Sequence, residues 1–234
     1  GLRILNIALS GANGSGATVQ NFGFFFYRGA HDVTLGNLDL DGFDLAVYNE
    51  SGGAGDLPTT NIKLSGCRIT NSVSMGYLGA GHNADISYNY WDGNGSDNVF
   101  DHTIYLGSAK DITNVSMVGN YIHGQSSATC LGTAVVAHAS IDGLLVKGNT
   151  VEIEASQTTP GCWGMGFNNT TGNTHAVYYR NAVFSGNTII NAGNTSLTVS
   201  SCPGCVIENN VIIQDADLGG SVGIGVVDGP VRAG

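Results

Sequence analysis

The chain has 234 residues, of which 36 are glycine and 11% are charged, and its formal net charge at pH 7 is −10. The acidic balance argues against nucleic acid as a partner, because nucleic-acid binding requires a basic stripe. No apolar run reaches the roughly 18 residues of a membrane-spanning segment. The abundance of glycine and asparagine is typical of a turn-rich all-β protein, and the length suffices for a substantial core.

A short sequence motif recurs along the chain: a strand of alternating apolar and polar residues, a tight turn, and an apolar residue two positions after the turn. Copies lie at residues 2–9, 33–40, 62–69, 84–91, 112–124, 144–151, 182–189 and 205–212. The turn position holds in succession Ile7, Leu38, Cys67, Asn89, Asn120, Asn149, Asn187 and Asn210. These positions are 22 to 38 residues apart, so the turns stay fixed while the loops vary in length.

After each turn the chain passes through a polar loop into a further short strand. These strands are predicted at 45–49, 75–78, 102–106, 133–138, 163–168, 196–199 and 222–226. No amphipathic helical pattern intervenes. Three short strands per repeat predict a parallel β-helix of about eight coils with three parallel sheets, in which each strand pairs with its equivalent in the next coil. We expect residues 1–234 to form a single solenoid domain, with an N-terminal cap outside this chain.

Strand alternation predicts which side chains face the interior. One inward column is Met117, Val146, Phe184 and Ile207, and another is Trp91, Ile122, Val151, Ile189 and Ile212. The turn column has a different physical reason. A side-chain amide both donates and accepts, so stacked Asn residues are expected to bond to one another and to the turn backbone as an Asn ladder.

Three segments carry a family resemblance: Val-Gly-Asn-Tyr-Ile-His at 118–123, Ser-Gly-Asn-Thr-Ile-Ile at 185–190, and Glu-Asn-Asn-Val-Ile-Ile at 208–213. They resemble the repeats of the right-handed parallel β-helix superfamily, which includes pectate lyases, alginate lyases, mannuronan epimerases and phage tailspikes. The resemblance covers nearly the whole chain and implies a right-handed coil, with ligands lying across one parallel sheet and its loops. It indicates the fold and not the function, because the repeat residues are structural.

The chain has five cysteines. Cys130 and Cys162 precede equivalent strands of neighbouring repeats, and a disulfide between them would suit an extracellular protein. Cys202 and Cys205 form a lone CxxC, which without a second pair or a suitably spaced His argues against zinc. Cys67 stands in the turn column and is predicted to be a buried thiol.

The best catalytic candidate is the segment Val-Phe-Asp-His-Thr at 99–103, followed by Tyr105. His and Tyr side chains act as acids and bases in sugar chemistry, and Asp101 would act as the acid or as an orienting carboxylate. Alternation places Asp101 and Tyr105 on the outer face together with Thr103, and His102 on the inner face. The segment is similar to Phe-Asp-Pro-His-Glu of mannuronan epimerase modules, but it lacks the Pro and the Glu, which argues against an epimerase.

Three further residues extend this candidate site. His138 ends the next strand and is expected to face Tyr105 across one coil, as a second candidate base. Asp44 lies two coils before Asp101, roughly 10 Å away by the strand spacing, which is close to the range of an inverting carboxylate pair. Tyr48 and Tyr105 are the predicted stacking surfaces for sugar rings.

No metal-binding motif is evident. Calcium remains open as a cofactor, because carboxylate oxygens are its preferred ligands. The acidic residues that would supply them are Asp39, Asp41, Asp44 and Glu50.

Two functional hypotheses follow. The first is an extracellular, secreted or virion-surface carbohydrate-active protein, either a polysaccharide lyase or a glycoside hydrolase, whose partner is a long polysaccharide rather than nucleic acid or a membrane. The second is a non-catalytic structural or glycan-binding rod, such as a tailspike, adhesin or surface-filament segment. In that case a flat outer face would bind a glycan or another subunit of a homotrimer or filament. Small residues predicted on that face are Ala46, Gly76, Ala134, Gly164 and Gly166.

Overall fold

The structure is a computed structural model that describes residues 1–12, 21–49, 57–95, 101–125, 130, 132–168, 177–218 and 221–227. Within these ranges the regular elements are all β-strands. The same ranges contain no helix that is both long enough and apolar enough to cross a membrane.

In chain order the strands are β1 (Leu2–Leu5), β2 (Ala8–Ser10), β3 (Phe22–Phe26), β4 (His31–Gly36), β5 (Asp39–Asp41), β6 (Leu45–Asn49), β7 (Thr60–Ser65), β8 (Arg68–Thr70), β9 (Met75–Gly79), β10 (Asp85–Ser87), β11 (Tyr90–Asn94), β12 (Ile104–Leu106), β13 (Ile112–Val118), β14 (Tyr121–Gln125), β15 (Thr133–Ala137), β16 (Ile141–Lys147), β17 (Thr150–Glu152), β18 (Trp163–Phe167), β19 (Tyr179–Arg180), β20 (Val183–Ser185), β21 (Thr188–Ile190), β22 (Thr195–Ser200), β23 (Val206–Glu208), β24 (Val211–Ile213) and β25 (Val222–Val227).

The strands form three parallel sheets, which we name A, B and C. Sheet A has the order β1-β4-β7-β10-β13-β16-β20-β23, with β19 also paired to β16. Sheet B is β2-β5-β8-β11-β14-β17-β21-β24, and sheet C is β3-β6-β9-β12-β15-β18-β22-β25. The chain therefore visits the three sheets in turn, eight times over. This confirms the all-β parallel β-helix of about eight coils, although β3 is not among the strands predicted from the sequence.

The core is built from columns of like residues stacked along the axis. In sheet B, Trp91 pairs with Ile122, and the column continues through Val151 and Ile189 to Ile212. Trp91, Val151 and Ile189 are fully buried. Burying each such side chain stabilises the fold by about 1.5–3 kcal/mol. The predicted inward columns are confirmed, and all their residues except Ile212 belong to or pack against one apolar core cluster.

The turn between sheets A and B holds the predicted Asn ladder. Each side-chain amide donates to the Oδ1 atom of the next Asn at 2.9–3.0 Å, from Asn89 through Asn120, Asn149 and Asn187 to Asn210. The same Oδ1 atoms accept the backbone N–H of the preceding Asn at 2.9–3.2 Å. Each of the five amides also donates to a backbone carbonyl, as Asn149 does to Met117 at 2.9 Å. Amides buried in this way have their donors and acceptors paired, which removes the cost of burying them.

A second ladder, which the sequence analysis does not predict, lies exposed where the chain enters sheet A. Asn61 donates to Asp32 at 2.6 Å, Asn83 to Asn61 at 2.9 Å, and Asn114 to Asn83 at 3.0 Å. All four residues have φ between 53° and 57°. Asn and Asp adopt this left-handed region more readily than other non-glycine residues, which explains their recurrence at this corner.

We expect Asn149→Ala to lower the free energy of unfolding by roughly 3 kcal/mol or more. The change removes the Asn149 partner of the Met117 carbonyl and of the Asn120 backbone N–H, and it leaves the Asn120 side-chain amide with only the Ile86 carbonyl as acceptor. Each buried group left unsatisfied costs about 1–3 kcal/mol. The matched control is Asn114→Gly, which removes an exposed ladder amide and keeps the left-handed backbone, and it should cost within about 1 kcal/mol. Chemical denaturation measures both, and equal losses would contradict a structural role of the buried ladder.

Candidate functional site

The outer face of sheet C brings the predicted site residues together. The strand register aligns Phe25, Tyr48, Leu78, Tyr105 and Val136 in one outward column. Side chains three positions earlier in each strand share this face. A Cβ atom on Gly166 would lie 3.4 Å from Thr133 and 3.9 Å from Val136, so Thr133 and Val136 stand on the same side of the sheet.

This geometry corrects the predicted alternation around residue 102. Thr103 was expected outside and His102 inside, but Thr103 is 1% exposed. The ring of His102 lies 5.5 Å from that of Tyr105 on the outer face. Thr103 and Ile104 are consecutive and both buried, so the period of two is interrupted where the strand begins. The interruption moves His102 to the solvent side, beside Tyr105.

The same interruption makes the predicted flat face of small residues wrong. Ala46 and Ala134 are buried, at 0% and 2% exposure. A Cβ atom on Gly76 would lie 2.9 Å from the indole ring of Trp91, and one on Gly164 would lie 2.7 Å from Ile189. These residues are small because core side chains of sheet B press against them. Gly166, in the outward column next to Val136, remains on the outer face.

Tyr105 lies between two imidazoles. Its ring centroid is 5.5 Å from that of His102 and 5.3 Å from that of His138, which stands one coil further along. A side chain at Gly107 would collide with the Tyr105 ring, so the glycine makes room for it. We call His102, Tyr105 and His138 the His–Tyr–His group. The predicted proximity of Tyr105 and His138 is present in the structure.

Contacts with backbone carbonyl groups determine which ring nitrogen carries the proton in both imidazoles. Nδ1 of His102 lies 2.7 Å from the Thr133 carbonyl oxygen and 3.3 Å from the Thr133 backbone nitrogen, and Nδ1 of His138 lies 3.0 Å from the Asn168 carbonyl oxygen. A carbonyl only accepts, and the carbonyl contact is the shorter of the two at His102, so Nδ1 carries the proton in each ring. Burial lowers the pKa of His102 to about 4 and also lowers the pKa of His138, while it raises the pKa of Tyr105. At neutral pH the group therefore offers two imidazole Nε2 acceptors and one phenolic donor, without net charge.

The predicted carboxylates lie at the strand entrances of the same sheet. Asp101 is half-buried directly before His102, and Asp44 occupies the equivalent position two coils earlier. Ser74, in the intervening coil, donates to Asp44 Oδ1 at 2.5 Å. Val99 and Phe100 of the predicted segment lie outside the described residues.

Aromatic rings cover the first two coils of this face. Phe25 stacks on Tyr48 with 5.0 Å between centroids and an interplanar angle of 11°. Phe22 lies 5.5 Å from Tyr48, and Tyr27 lies 5.4 Å from Phe25. Phe25 is 47% and Tyr27 is 40% exposed. We call Phe22, Phe25, Tyr27 and Tyr48 the aromatic patch, of which sequence reasoning found only Tyr48. The missed signal is the aromatic run 22–27, one repeat before the predicted strand 45–49.

A second polar cluster, also missed, covers the outer face of sheet B. Tyr90, Tyr121 and His123 stack with successive centroid distances of 5.7 and 6.1 Å. Nδ1 of His123 lies 2.9 Å from Asp92 Oδ1, and its Nε2 lies 2.9 Å from Glu154 Oε1. One imidazole thus links carboxylates from two other coils. The residues come from three separate repeats, so only the register reveals their proximity.

The structure joins Cys130 to Cys162, with Cα atoms 4.9 Å apart, and also joins Cys202 to Cys205. Cys67 is a free, buried thiol whose pKa is raised by burial. Two disulfides fit an extracellular location.

The carboxylates considered for calcium have protein partners. Asp39 pairs with Arg68 at 3.2 Å, and Asp41 accepts hydrogen bonds from Thr70 and Asn71, each at 2.7 Å. Glu50 lies outside the described residues. Across the part of the chain that the structure describes, no group of three or more His, Cys, Asp or Glu side chains is arranged to hold a metal ion.

Three in-register parallel sheets and an internal Asn ladder define this chain as a parallel β-helix. No protein-family model matches the chain, and no curated protein matches its sequence. Among solved structures it is similar to the crystal structure of PfbA, a surface adhesin of Streptococcus pneumoniae, with a TM-score of 0.40 and 12% sequence identity. That similarity covers 85% of this chain and 59% of PfbA.

The geometry of His123 predicts a pH-dependent contribution to stability. Burial alone lowers the pKa of His123, but its hydrogen bonds to Asp92 and Glu154 and their charges outweigh this and raise it. Because the pKa of His123 is higher in the folded state than in the unfolded state, the protonated imidazole stabilises the fold. The stabilisation is fully present at pH values below the unfolded-state pKa of about 6.5, and it is lost as the pH rises through the folded-state pKa. We expect wild type to be more stable than His123→Gln near pH 5.5. The difference in the free energy of unfolding should be on the order of 1 kcal/mol or less, because both ion pairs are partly exposed. This difference should vanish at alkaline pH.

Thermal unfolding across pH measures that difference, and NMR titration of His123 in Asp92→Asn provides the control. The titration midpoint should fall when the Asp92 charge is removed. A stability difference that grows with rising pH would contradict the assignment.

Proposed function

We propose that this chain is an extracellular glycan-binding β-helix and that an extended polysaccharide lies along the outer face of sheet C. One observation carries the proposal: the aromatic patch and the His–Tyr–His group stand on the same outward face, aligned by the strand register. Such a surface runs parallel to the solenoid axis and suits a long, repetitive ligand.

The chemistry of the face matches that of a sugar chain. Aromatic rings pack against the apolar faces of pyranose rings, and the patch exposes Phe25 and Tyr27 for this contact. Tyr105 stands two coils from Tyr48, or about 10 Å at the spacing of paired strands. The patch and the His–Tyr–His group would therefore contact different sugar units of one chain. Hydroxyl groups of the glycan would donate to the imidazole Nε2 atoms and accept from the Tyr105 phenol.

The electrostatics favour a neutral or weakly acidic glycan. The His–Tyr–His group carries no net charge at neutral pH because burial lowers the pKa of both imidazoles. Arg28, whose guanidinium lies 4.6 Å above the ring of Tyr27, supplies a cation beside the patch. A densely anionic polymer would require more positive charge to offset the net charge of −10.

A second candidate function is a polysaccharide lyase or glycoside hydrolase acting at the His–Tyr–His group. The observation in its favour is the contact between an imidazole with a free Nε2 lone pair, His102, and a protonated phenol, Tyr105. In this reading His102 or His138 accepts a proton, Tyr105 donates one to the leaving oxygen, and Asp101 orients the substrate. Asp44 and Tyr48 would bind neighbouring sugar units.

Binding to a polysaccharide panel by affinity electrophoresis tests the first proposal. Phe25→Ala and Tyr48→Ala should each weaken binding by roughly two- to tenfold, because an aromatic contact contributes about 0.5–1.5 kcal/mol. The matched control is Tyr88→Ala, which removes a tyrosine that is 66% exposed and lies away from sheet C. No binding by wild type to any polysaccharide, together with a homotrimer or filament in solution, would favour the structural-rod alternative.

Catalysis has a separate test. Release of unsaturated products and of reducing ends is followed on any polysaccharide that binds. If the group is catalytic, His102→Ala and Tyr105→Phe should each slow turnover by about 100-fold or more, while Tyr121→Phe on sheet B leaves it unchanged. If His102 is the base, the decline of the rate on the acid side should begin only as pH approaches the His102 pKa of about 4. Binding without turnover on every substrate would reject catalysis and leave the binding proposal intact.

A further inference from the structure

A pocket of about 410 Å³ opens at the corner between sheets C and A. Its walls come from three successive coils: Gly29, His31 and Asp32 from the first, Leu57, Pro58, Thr60 and Asn61 from the second, and His82 from the third. We call this the corner pocket. Its volume lies within the roughly 300–1,000 Å³ of typical small-ligand sites.

The polar wall of the pocket presents a fixed carboxylate. Oδ1 of Asp32 accepts a hydrogen bond from Asn61 at 2.6 Å, and Oδ2 lies 3.0 Å from Nδ1 of His31. The hydrogen bond from Asn61, followed by that from His31, lowers the pKa of Asp32, so the group is ionised at neutral pH. Each carboxylate oxygen retains a further lone pair, and these two sites are suited to accepting hydrogen bonds from adjacent ligand hydroxyls.

Another part of the pocket lining is apolar. Leu57 is 72% exposed although it is a large hydrophobic residue, and Pro58 follows it. A Cβ atom on Gly29 would lie only 3.2 Å from that of Leu57, so the glycine allows the leucine to approach the corner closely. On the third coil, His82 directs Nδ1 to Thr113 Oγ1 at 3.1 Å, which leaves Nε2 for another partner.

A lining that combines apolar side chains with a carboxylate and imidazoles matches a sugar ring, which has an apolar C–H face and a rim of hydroxyl groups. The ionised Asp32 repels a carboxylate or sulfate on the ligand, so an uncharged sugar fits better than a uronate. The chain itself links the pocket to the aromatic patch, because Gly29 follows Tyr27 after one residue.

We propose that the corner pocket binds one neutral monosaccharide unit, which is the end or a branch of the glycan that lies along sheet C. The second clause rests on the proposed function of the sheet C face, whereas monosaccharide binding in the pocket does not require it. The pocket would then select the sugar unit, and the sheet face would hold the length of the chain.

NMR titration of wild type with methyl glycosides of glucose, galactose, mannose and N-acetylglucosamine tests the site. At least one should shift the His31 and His82 imidazole signals saturably, while methyl glucuronide should not. Asp32→Asn should weaken that binding at least tenfold, because it removes the acceptor charge. The variant should fold normally, since Asn tolerates the φ of 56° at this position.

Two further variants complete the experiment. Leu57→Ala should weaken monosaccharide binding several-fold through loss of the apolar wall. Asp142→Asn is the matched control, since Asp142 accepts a hydrogen bond from Asn181 at 2.7 Å on the same corner, four coils away, and binding should be unchanged. If no glycoside in the panel shifts the imidazole signals, or if Asp32→Asn binds as wild type does, the pocket proposal is overturned.

The two proposals fail independently. Polysaccharide binding that is lost in Phe25→Ala but unchanged in Asp32→Asn would overturn the pocket and support the sheet face. Saturable binding of a monosaccharide, without polysaccharide binding, would support the pocket and overturn the role of the sheet face.

Discussion

The buried Asn ladder is the constraint on which the rest of the structure depends. Each amide bonds simultaneously to the next amide, to a backbone N–H and to a carbonyl, as Asn149 does with Asn187, Asn120 and Met117. A coil that slipped by one residue would break all of these bonds and turn core side chains toward solvent. The ladder therefore pins the register of successive coils, although hydrophobic burial supplies most of the favourable energy.

Because the register of successive coils is fixed, equivalent residues of the sequence repeats line up as continuous surfaces along the axis. Phe25, Tyr48 and Tyr105 are far apart in the chain, yet they share one outward column because every coil is aligned on the last. The corner pocket arises in the same way from residues of three coils. A solenoid with such surfaces presents repeated contacts along its axis, and a polysaccharide presents repeated units along its own, which is the physical basis of the proposed function.

The architecture is predictable from the sequence because its signals are local and repeated. The alternation around Met117 and Phe184, and the recurring Asn, define the sheets, the core columns and the ladder. The site is harder to predict. The position of His102 depends on an interruption of the strand alternation at Thr103, and no residue type in the sequence predicts this interruption. The cluster around His123 joins residues from three coils, and recognising it requires the register between coils of unequal length. Apart from Tyr48, the aromatic patch is not predicted, because strand β3, which carries Phe22 and Phe25, is not among the predicted strands.

A crystal structure of this chain with a bound oligosaccharide would show the register of the coils and the surface that holds the ligand in one experiment. The account predicts Asn120, Asn149 and Asn187 stacked amide over amide, with sugar rings lying over Phe25, Tyr48 and Tyr105 along the solenoid axis. Asparagines at unrelated corners, or an oligosaccharide bound on sheet A or B with the outer face of sheet C empty, would contradict it.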